Sequence, residues 1–166
     1  MSADAAFVRL TCDPQTFRPA ADARVRWLDQ AADFHLALEA WQATGITITR
    51  ADWDDWHRQA YHYCGIVENG RLVSSAAVWA YSPAAWELAA VRTDPAHRRR
   101  GYARAVCAFA TTYILAHGRI ATCTTHPDNT PMLRLATSLG FLAEPEVRHR
   151  ADATRRSRAW PRASAP

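Results

Sequence analysis

The sequence predicts a mixed α/β sheet: a strand, helices, three antiparallel strands, a helix, a strand, a helix and a last strand. Three observations predict it. Asn69-Gly70 lies between two strand-like runs, Cys64 to Val67 and Leu72 to Ala80, which is a strong hairpin signal. After the break at Ser82-Pro83, Trp86 to Val91 supplies a third strand of the same kind. A long helix-like run, Ala103 to His117, then leads to Arg119 to Thr124, so a helix crosses over between two strands.

The remaining elements follow in order. Ala6 to Thr11 alternates well enough for a first strand. Arg24 to Ala43 reads as helical, in one piece or two, and Gly45 ends it. Thr49-Arg50-Ala51-Asp52 resembles a capping box that opens a short helix toward Tyr61. Asp94-Pro95 closes the third strand of the hairpin group. Asn129 to Leu139 reads as a helix, and Leu139-Gly140-Phe141 ends it and starts a strand. Leu142 to about Asp152 predicts a final hairpin that Pro145 weakens. There is no internal repeat, so residues 1–150 are expected to form a single domain. Residues 151–166 make a basic tail, read as a loosely ordered end. A nucleic-acid arm is the weaker alternative, because Trp160 is the tail's single aromatic and base stacking wants several.

Composition narrows the class. The chain has 166 residues, 49% of them hydrophobic and 22% charged, as in an ordinary globular domain. No run of eighteen apolar residues occurs, so no membrane helix is expected. The start, Met1-Ser2-Ala3-Asp4-Ala5, lacks the basic and apolar parts of a secretory signal. Cys12, Cys64, Cys107 and Cys123 are scattered, which predicts reduced thiols in a cytoplasmic protein. Net charge is +4, and all 20 basic residues are arginine; this looks like coding bias, and nucleic acid is not the expected partner. No His-x-x-x-His pair or cysteine pair suggests a metal, and no Gly-x-Ser-x-Gly nucleophile elbow appears.

The stretch Arg98-Arg99-Arg100-Gly101-Tyr102-Ala103 carries the most chemistry. It follows a strand and opens the long helix, which is the context an anion cradle needs. Gly101 admits backbone angles that crowd a Cβ, Ala103 keeps the bed shallow, and the arginines offer forks for phosphate oxygens. The plainer alternative is a basic surface turn at a helix start.

This order and three local signatures resemble the GNAT family of acyl-CoA-dependent N-acyltransferases, over roughly Tyr63 to Phe141. The signatures are Arg98-x-x-Gly101-x-Ala103, the strand ending Ala89-Ala90-Val91-Arg92-Thr93-Asp94-Pro95, and Asn129 followed by a helix and Leu139-Gly140-Phe141. The resemblance implies a splayed central strand pair, with the strand ending at Val91 parting from Ile120 to Thr124. It implies acetyl-CoA as co-substrate and a small-molecule or peptide amine as acceptor, and homodimers are common in the family. Main-chain N–H groups of Arg99, Arg100, Gly101, Tyr102, Ala103 and Arg104, after Arg98, would hold the pyrophosphate. Backbone groups near Val91 and Thr93 would pair with the pantetheine arm, and Asn129 would contact it; Asn129 also suits a helix N-cap.

Acyl transfer to an amine needs a base, because an amine with a pKa of about 10 is protonated near neutrality. Glu87 is the first candidate, at the spacing before Gly101 where the histone-acetylating branch of the family places its glutamate. Strand alternation predicts Glu87, Ala89 and Val91 on one face and Trp86, Leu88 and Ala90 on the other. An ion pair with Arg92 or Arg119 is the structural alternative for Glu87. A main-chain N–H near Val91 would serve the oxyanion. Many relatives place a tyrosine acid four residues before the Gly-Phe glycine, and here that position is Ala136. His126 is the first substitute, ahead of Tyr102 and Cys123, although it also suits a plain loop histidine. Direct attack in a ternary complex is the leading reading, and a non-catalytic acyl-CoA sensor is the alternative. Trp53, Trp56 and Trp79 suit either an acceptor slot or core packing, and Asp52, Asp54 and Asp55 suit either a cationic amine or a charged helix start.

Overall fold

A computed structural model describes residues 7–144. The elements are β1 (Val8–Cys12), β2 (Val25–Trp27), α1 (Phe34–Gln42), α2 (Arg50–Arg58), β3 (Tyr61–Glu68), β4 (Arg71–Trp79), β5 (Ala85–Thr93), α3 (Tyr102–Ala116), β6 (Ile120–Thr125), α4 (Thr130–Ser138) and β7 (Leu142–Ala143). A single 3-10 turn, Pro95–His97, joins β5 to the loop before α3.

The strands form one mixed sheet in the order β2-β3-β4-β5-β6-β1-β7. The expected hairpin group is there: β3, β4 and β5 are consecutive and antiparallel. Asn69 and Gly70 turn the first hairpin with φ of +50° and +74°, the left-handed pair that matches the twist of the flanking strands. The α3 crossover makes β5 and β6 parallel.

Two apolar clusters hold the layers. Cys64, Ile66, Val73, Val78 and Leu88 meet α3 and α4 residues such as Val106, Ile114 and Ala136 on one face. Tyr63, Leu72 and Ala77 meet Trp41 of α1 and Trp53 and Trp56 of α2 on the other. Thr49 and Asp52 close the expected capping box of α2, with Thr49 N–H donating to the Asp52 carboxylate at 2.8 Å and the Asp52 N–H to Thr49 Oγ1 at 3.1 Å.

Three expectations change. Arg24 to Ala43 is not helical throughout: Val25–Trp27 pairs with β3 as an edge strand, and the helix begins at Phe34. Three residues are too few for periodicity to show. The first strand runs to Cys12 and lies between β6 and β7, antiparallel to both. The strand that follows Gly140-Phe141 shortens to Leu142–Ala143, and the remainder of the expected final hairpin, like the tail, lies outside the described residues.

Candidate active site

The β5–β6 pair is joined only at its beginning, where Ala85, Trp86 and Glu87 face Ile120, Ala121 and Thr122. Beyond Glu87, β5 has no ladder partner on its β6 side, while β4 accompanies it to Thr93. The two strands part, as the family resemblance implies. Such an edge offers main-chain donors and acceptors to a ligand that can lie along it.

Within the opening β5 carries a bulge. Ala77 pairs with Ala89 and Ser75 with Arg92, so Ala90 and Val91 together oppose one residue of β4. Ala90 takes φ of +53°, a left-handed conformation uncommon for a residue with a Cβ. The bulge corrects the alternation read from the sequence. Ala90 packs with the α1/α2 cluster, and Val91 packs with the α3/α4 cluster beside Leu88. Glu87 and Val91 therefore lie on opposite faces. Nothing in the amino-acid order marks the bulge, because its strained position is filled by alanine rather than by glycine or asparagine.

Glu87 is 6% exposed. Its cross-strand neighbours are Trp79 of β4 and Thr122 of β6. Burial, with the Glu87 charge adding to it, pushes the Cys123 thiol up to about 12, so Cys123 is no nucleophile at neutral pH. Arg92, one of the two expected ion-pair partners of Glu87, donates to Thr44 Oγ1 at 3.0 Å and lies over Trp41; the other, Arg119, lies over Trp86. At Thr122, the β6 partner of Glu87, Tyr81 OH lies 3.5 Å from Oγ1 and accepts from Arg9 Nη2 at 3.0 Å.

At the far end of the opening, Arg98, Arg99, Arg100 and Gly101 form an exposed turn into α3. Arg99 and Gly101 both take left-handed angles, φ of +62° and +79°. Such turns aim successive N–H groups into one concavity. Gly101 is the N-cap and brings no capping side chain. The first intrahelical bond of α3 runs from Ala105 N–H to Gly101 C=O, so the N–H groups of Tyr102, Ala103 and Arg104 precede it. A Cβ on Gly101 would meet no heavy atom within 4 Å. The bed is open.

A side-chain hub braces this turn. Glu68 accepts from Tyr102 OH at 2.7 Å and Arg24 Nη1 at 3.3 Å, and His97 Nε2 lies 3.8 Å away. Tyr102 is thus committed to the loop. The Arg104 guanidinium reaches Ser138 C=O at 3.5 Å, joining α3 to α4. Thr93 shares a hydrogen bond of 2.9 Å with Ser74.

Asn129 is the N-cap of α4: its Oδ1 accepts from Met132 N–H at 3.3 Å and its Nδ2 donates to Thr125 Oγ1 at 3.1 Å. His126 follows β6, four residues beyond the Thr122 that pairs Glu87, about 13 Å along an extended strand. Its Nδ1 accepts from Asp128 N–H at 3.2 Å, and the Asp128 carboxylate is 3.4 Å away. Ala136 is fully buried in α4 and offers no proton.

The tryptophans divide. Trp41, Trp53 and Trp56 are core, packed around Tyr63. Trp79 is half-buried next to Glu87 and stacks on Tyr61 at 5.2 Å and 7°. The acidic cluster is spent locally: Asp52 on Thr49, Asp54 on Arg50 and Gln30, Asp55 on Arg58 and Gln59. No group of acidic, histidine or cysteine residues that could hold a metal occurs among the described residues. A cavity of about 310 Å³ opens where β2 ends, lined by Trp27, His57, His62 and Tyr63 among others, at the sheet edge remote from β6.

A parallel strand pair that parts beside a bulge and leads to a glycine turn at a helix start is the framework of the candidate site. The family profile for the acetyltransferase (GNAT) family matches residues 23–141. The chain therefore belongs to the GNAT acetyltransferase family. Solved structures agree on the fold. A GNAT-family protein from Novosphingobium aromaticivorans superposes with a TM-score of 0.70 at 23% identity, over 83% of this chain and 59% of that one. An acetyltransferase from Colwellia psychrerythraea gives 0.66 at 14%, over 82% and 52%. A tandem GNAT protein from the clavulanic acid biosynthesis pathway gives 0.63 at 17%, over 85% and 51%. The matched part of this chain thus spans about half to three-fifths of these proteins. No curated protein sequence matches it significantly. Among the described residues no helix is long and apolar enough to cross a membrane.

Proposed function

We propose that the chain is an N-acetyltransferase that uses acetyl-CoA and acts by direct attack of an amine in a ternary complex. The observation that carries this reading is the β5 edge. From Leu88 to Thr93 it is unpaired toward β6, it is bulged at Ala90, and it leads to a turn whose amides are uncapped. Membership of the GNAT family supports it.

Acetyl-CoA, when bound, would supply an activated acyl carbon on a thiol leaving group. The chain's residues do the rest. Amides of Arg99 to Arg104 take the diphosphate charge at the positive end of α3, with Arg98 and its neighbours adding cationic forks. Main-chain groups near Val91 and Thr93 hold the extended arm as an added strand, and an N–H beside Val91 donates to the oxygen on which charge develops. Asn129 fixes the start of α4 against β6 and keeps one lone pair and one N–H for the arm. Glu87 receives the proton of the attacking amine, directly or through water.

His126 is the proposed proton donor to the departing thiolate. The absence of a tyrosine at Ala136 is a small loss: releasing a thiolate of pKa about 8.5 unprotonated at pH 7 costs about 2 kcal/mol. Turnover does not require a strong acid here.

The test is release of coenzyme A across a panel of amines, with cofactor affinity measured separately by calorimetry. Turnover with at least one amine supports the reading. Tight binding of acetyl-CoA with no turnover on any of them, small or peptidic, would make the chain a sensor of the cofactor instead.

A further inference from the structure

We infer that the amine acceptor also carries an anionic group, a carboxylate or its equivalent, and that Arg9 of the N-terminal strand receives it; this rests on the acetyl-transfer reading above. Register brings Arg9 to the site. Glu87 pairs with Thr122, Thr122 with Thr11, and Thr124 with Arg9. Paired residues share a face, so Arg9 stands on the Glu87 face of the sheet, one step further into the opening between β5 and β6. The helices α1 and α2 pack on β4 and β3, and the helices in contact with β6 are α3 and α4, on the other face. The half of the Glu87 face made by β6 and β1 is thus bare of described helices.

The chemistry there is cationic, and its hydrogen-bonding capacity is only partly used. Arg9 spends one terminal N–H on Tyr81 OH at 3.0 Å. Its Nε forms an ion pair with the Glu144 carboxylate at 3.7 Å, both side chains more than a third exposed, yet that buried nitrogen has no hydrogen-bond acceptor. Thr124 Oγ1, from the neighbouring position on β6, is also buried and has no partner. A guanidinium has five N–H donors in a fixed fork and binds a carboxylate through two of them at once. A carboxylate on the acceptor would displace the partly exposed Glu144 and take the fork through hydrogen bonds that Glu144 does not make, and Thr124 would add a hydroxyl. The amine of the same molecule then faces Glu87. The arrangement also disfavours polycations, since a second ammonium would meet the Arg9 charge in a half-buried setting.

The experiment compares matched amines with the full chain and acetyl-CoA: tyrosine against tyramine, 4-aminobutyrate against butylamine, and spermidine as a polycation. The wild type is expected to favour the carboxylate-bearing member of at least one pair by about 10-fold or more in kcat/KM, and to acetylate spermidine least. In Arg9→Gln that preference collapses toward unity, while KM for acetyl-CoA and turnover of the carboxylate-free amine stay near wild type. Arg9→Lys, which keeps the charge without the fork, falls between. Equal use of both members by the wild type, or a preference that survives Arg9→Gln, overturns the inference and leaves acetyl transfer standing. No turnover with any amine overturns the acetyl-transfer reading, and the inference with it. Should Arg9→Gln not fold, Arg9→Lys decides: an undiminished preference there overturns the inference, and a reduced one supports it.

Discussion

At the scale of single residues, Glu87 and Gly101 make opposite demands. Glu87 is a carboxylate sunk to 6% exposure between Trp79 and Thr122, and the proposed mechanism makes it the base. Glu87→Gln keeps the shape and removes the base, so the rate at pH 7 should fall by about 100-fold or more. Raising the pH increases the free-amine fraction up to the amine pKa of about 10, so the variant should recover in part as pH climbs. A pH–rate profile that overlays the wild type would remove Glu87 from the chemistry. Gly101 is the reverse case, valued for what it lacks. Its φ of +79° suits glycine, and nothing lies within 4 Å of an added Cβ. Gly101→Glu should therefore fold, at a strain of about 1–2 kcal/mol, yet lose acetyl-CoA because a carboxylate stands over the diphosphate bed. Unchanged affinity by calorimetry would move the cofactor elsewhere. Both positions are singled out from the sequence, Gly101 by its strand–turn–helix context and Glu87 by the spacing that the family resemblance implies. Arg9 is not, because its contact with Tyr81 spans 72 positions that only the folded sheet closes.

At the scale of elements, the parts legible in the sequence are those with strong local chemistry: the Asn69-Gly70 turn, the Thr49 capping box and the long α3 run. The hidden parts have none. β2 is three residues held by β3, and the β5 bulge falls on Ala90 and Val91, neither of which is a turn residue. The seat of β1 is also invisible locally, because a strand does not announce its neighbours. One residue records that seat in the folded protein. Gly140, with φ of +95°, lies against the segment after β1, and a methyl there would overlap the Thr16 carbonyl oxygen. That obstacle is backbone, anchored by Arg18 N–H on Leu139 C=O at 2.9 Å, so it cannot swing aside. Gly140→Ala should destabilise the protein by about 3 kcal/mol or more, combining left-handed strain with overpacking. Urea unfolding measures this. A loss within about 0.5 kcal/mol, the scale of a neutral surface change, would mean that the N-terminal segment does not dock there.

At the scale of the whole molecule, the sheet is organised around an opening, and the packing on either side must hold that opening without closing it. The core on the α3/α4 face includes four thiols. Cys12, Cys64, Cys107 and Cys123 are all buried and unpaired. Burial pushes Cys64 and Cys123 up to about 12 and raises Cys107 well above its ordinary value. These folded-state values lie above those of an unfolded thiol, which ionises at about 8.5. The folded protein therefore keeps protons that the unfolded chain gives up. Stability from these groups is fully present below about pH 8.5 and declines as pH rises toward about 12, by about 1.4 kcal/mol per pH unit for each thiol in that window. The buried Tyr63 phenol, whose pKa is also raised by burial, adds to the same slope above about pH 10. Urea midpoints should accordingly hold steady from about pH 7 to 8.5 and drop steeply between about 9 and 10.5. Cys123→Ala should flatten that drop by one thiol's share, after its cavity cost at about pH 7 is subtracted. A midpoint that stays level to about pH 10.5 would show that the thiols ionise as readily in the fold as outside it, and that the core facing the cofactor opening admits water.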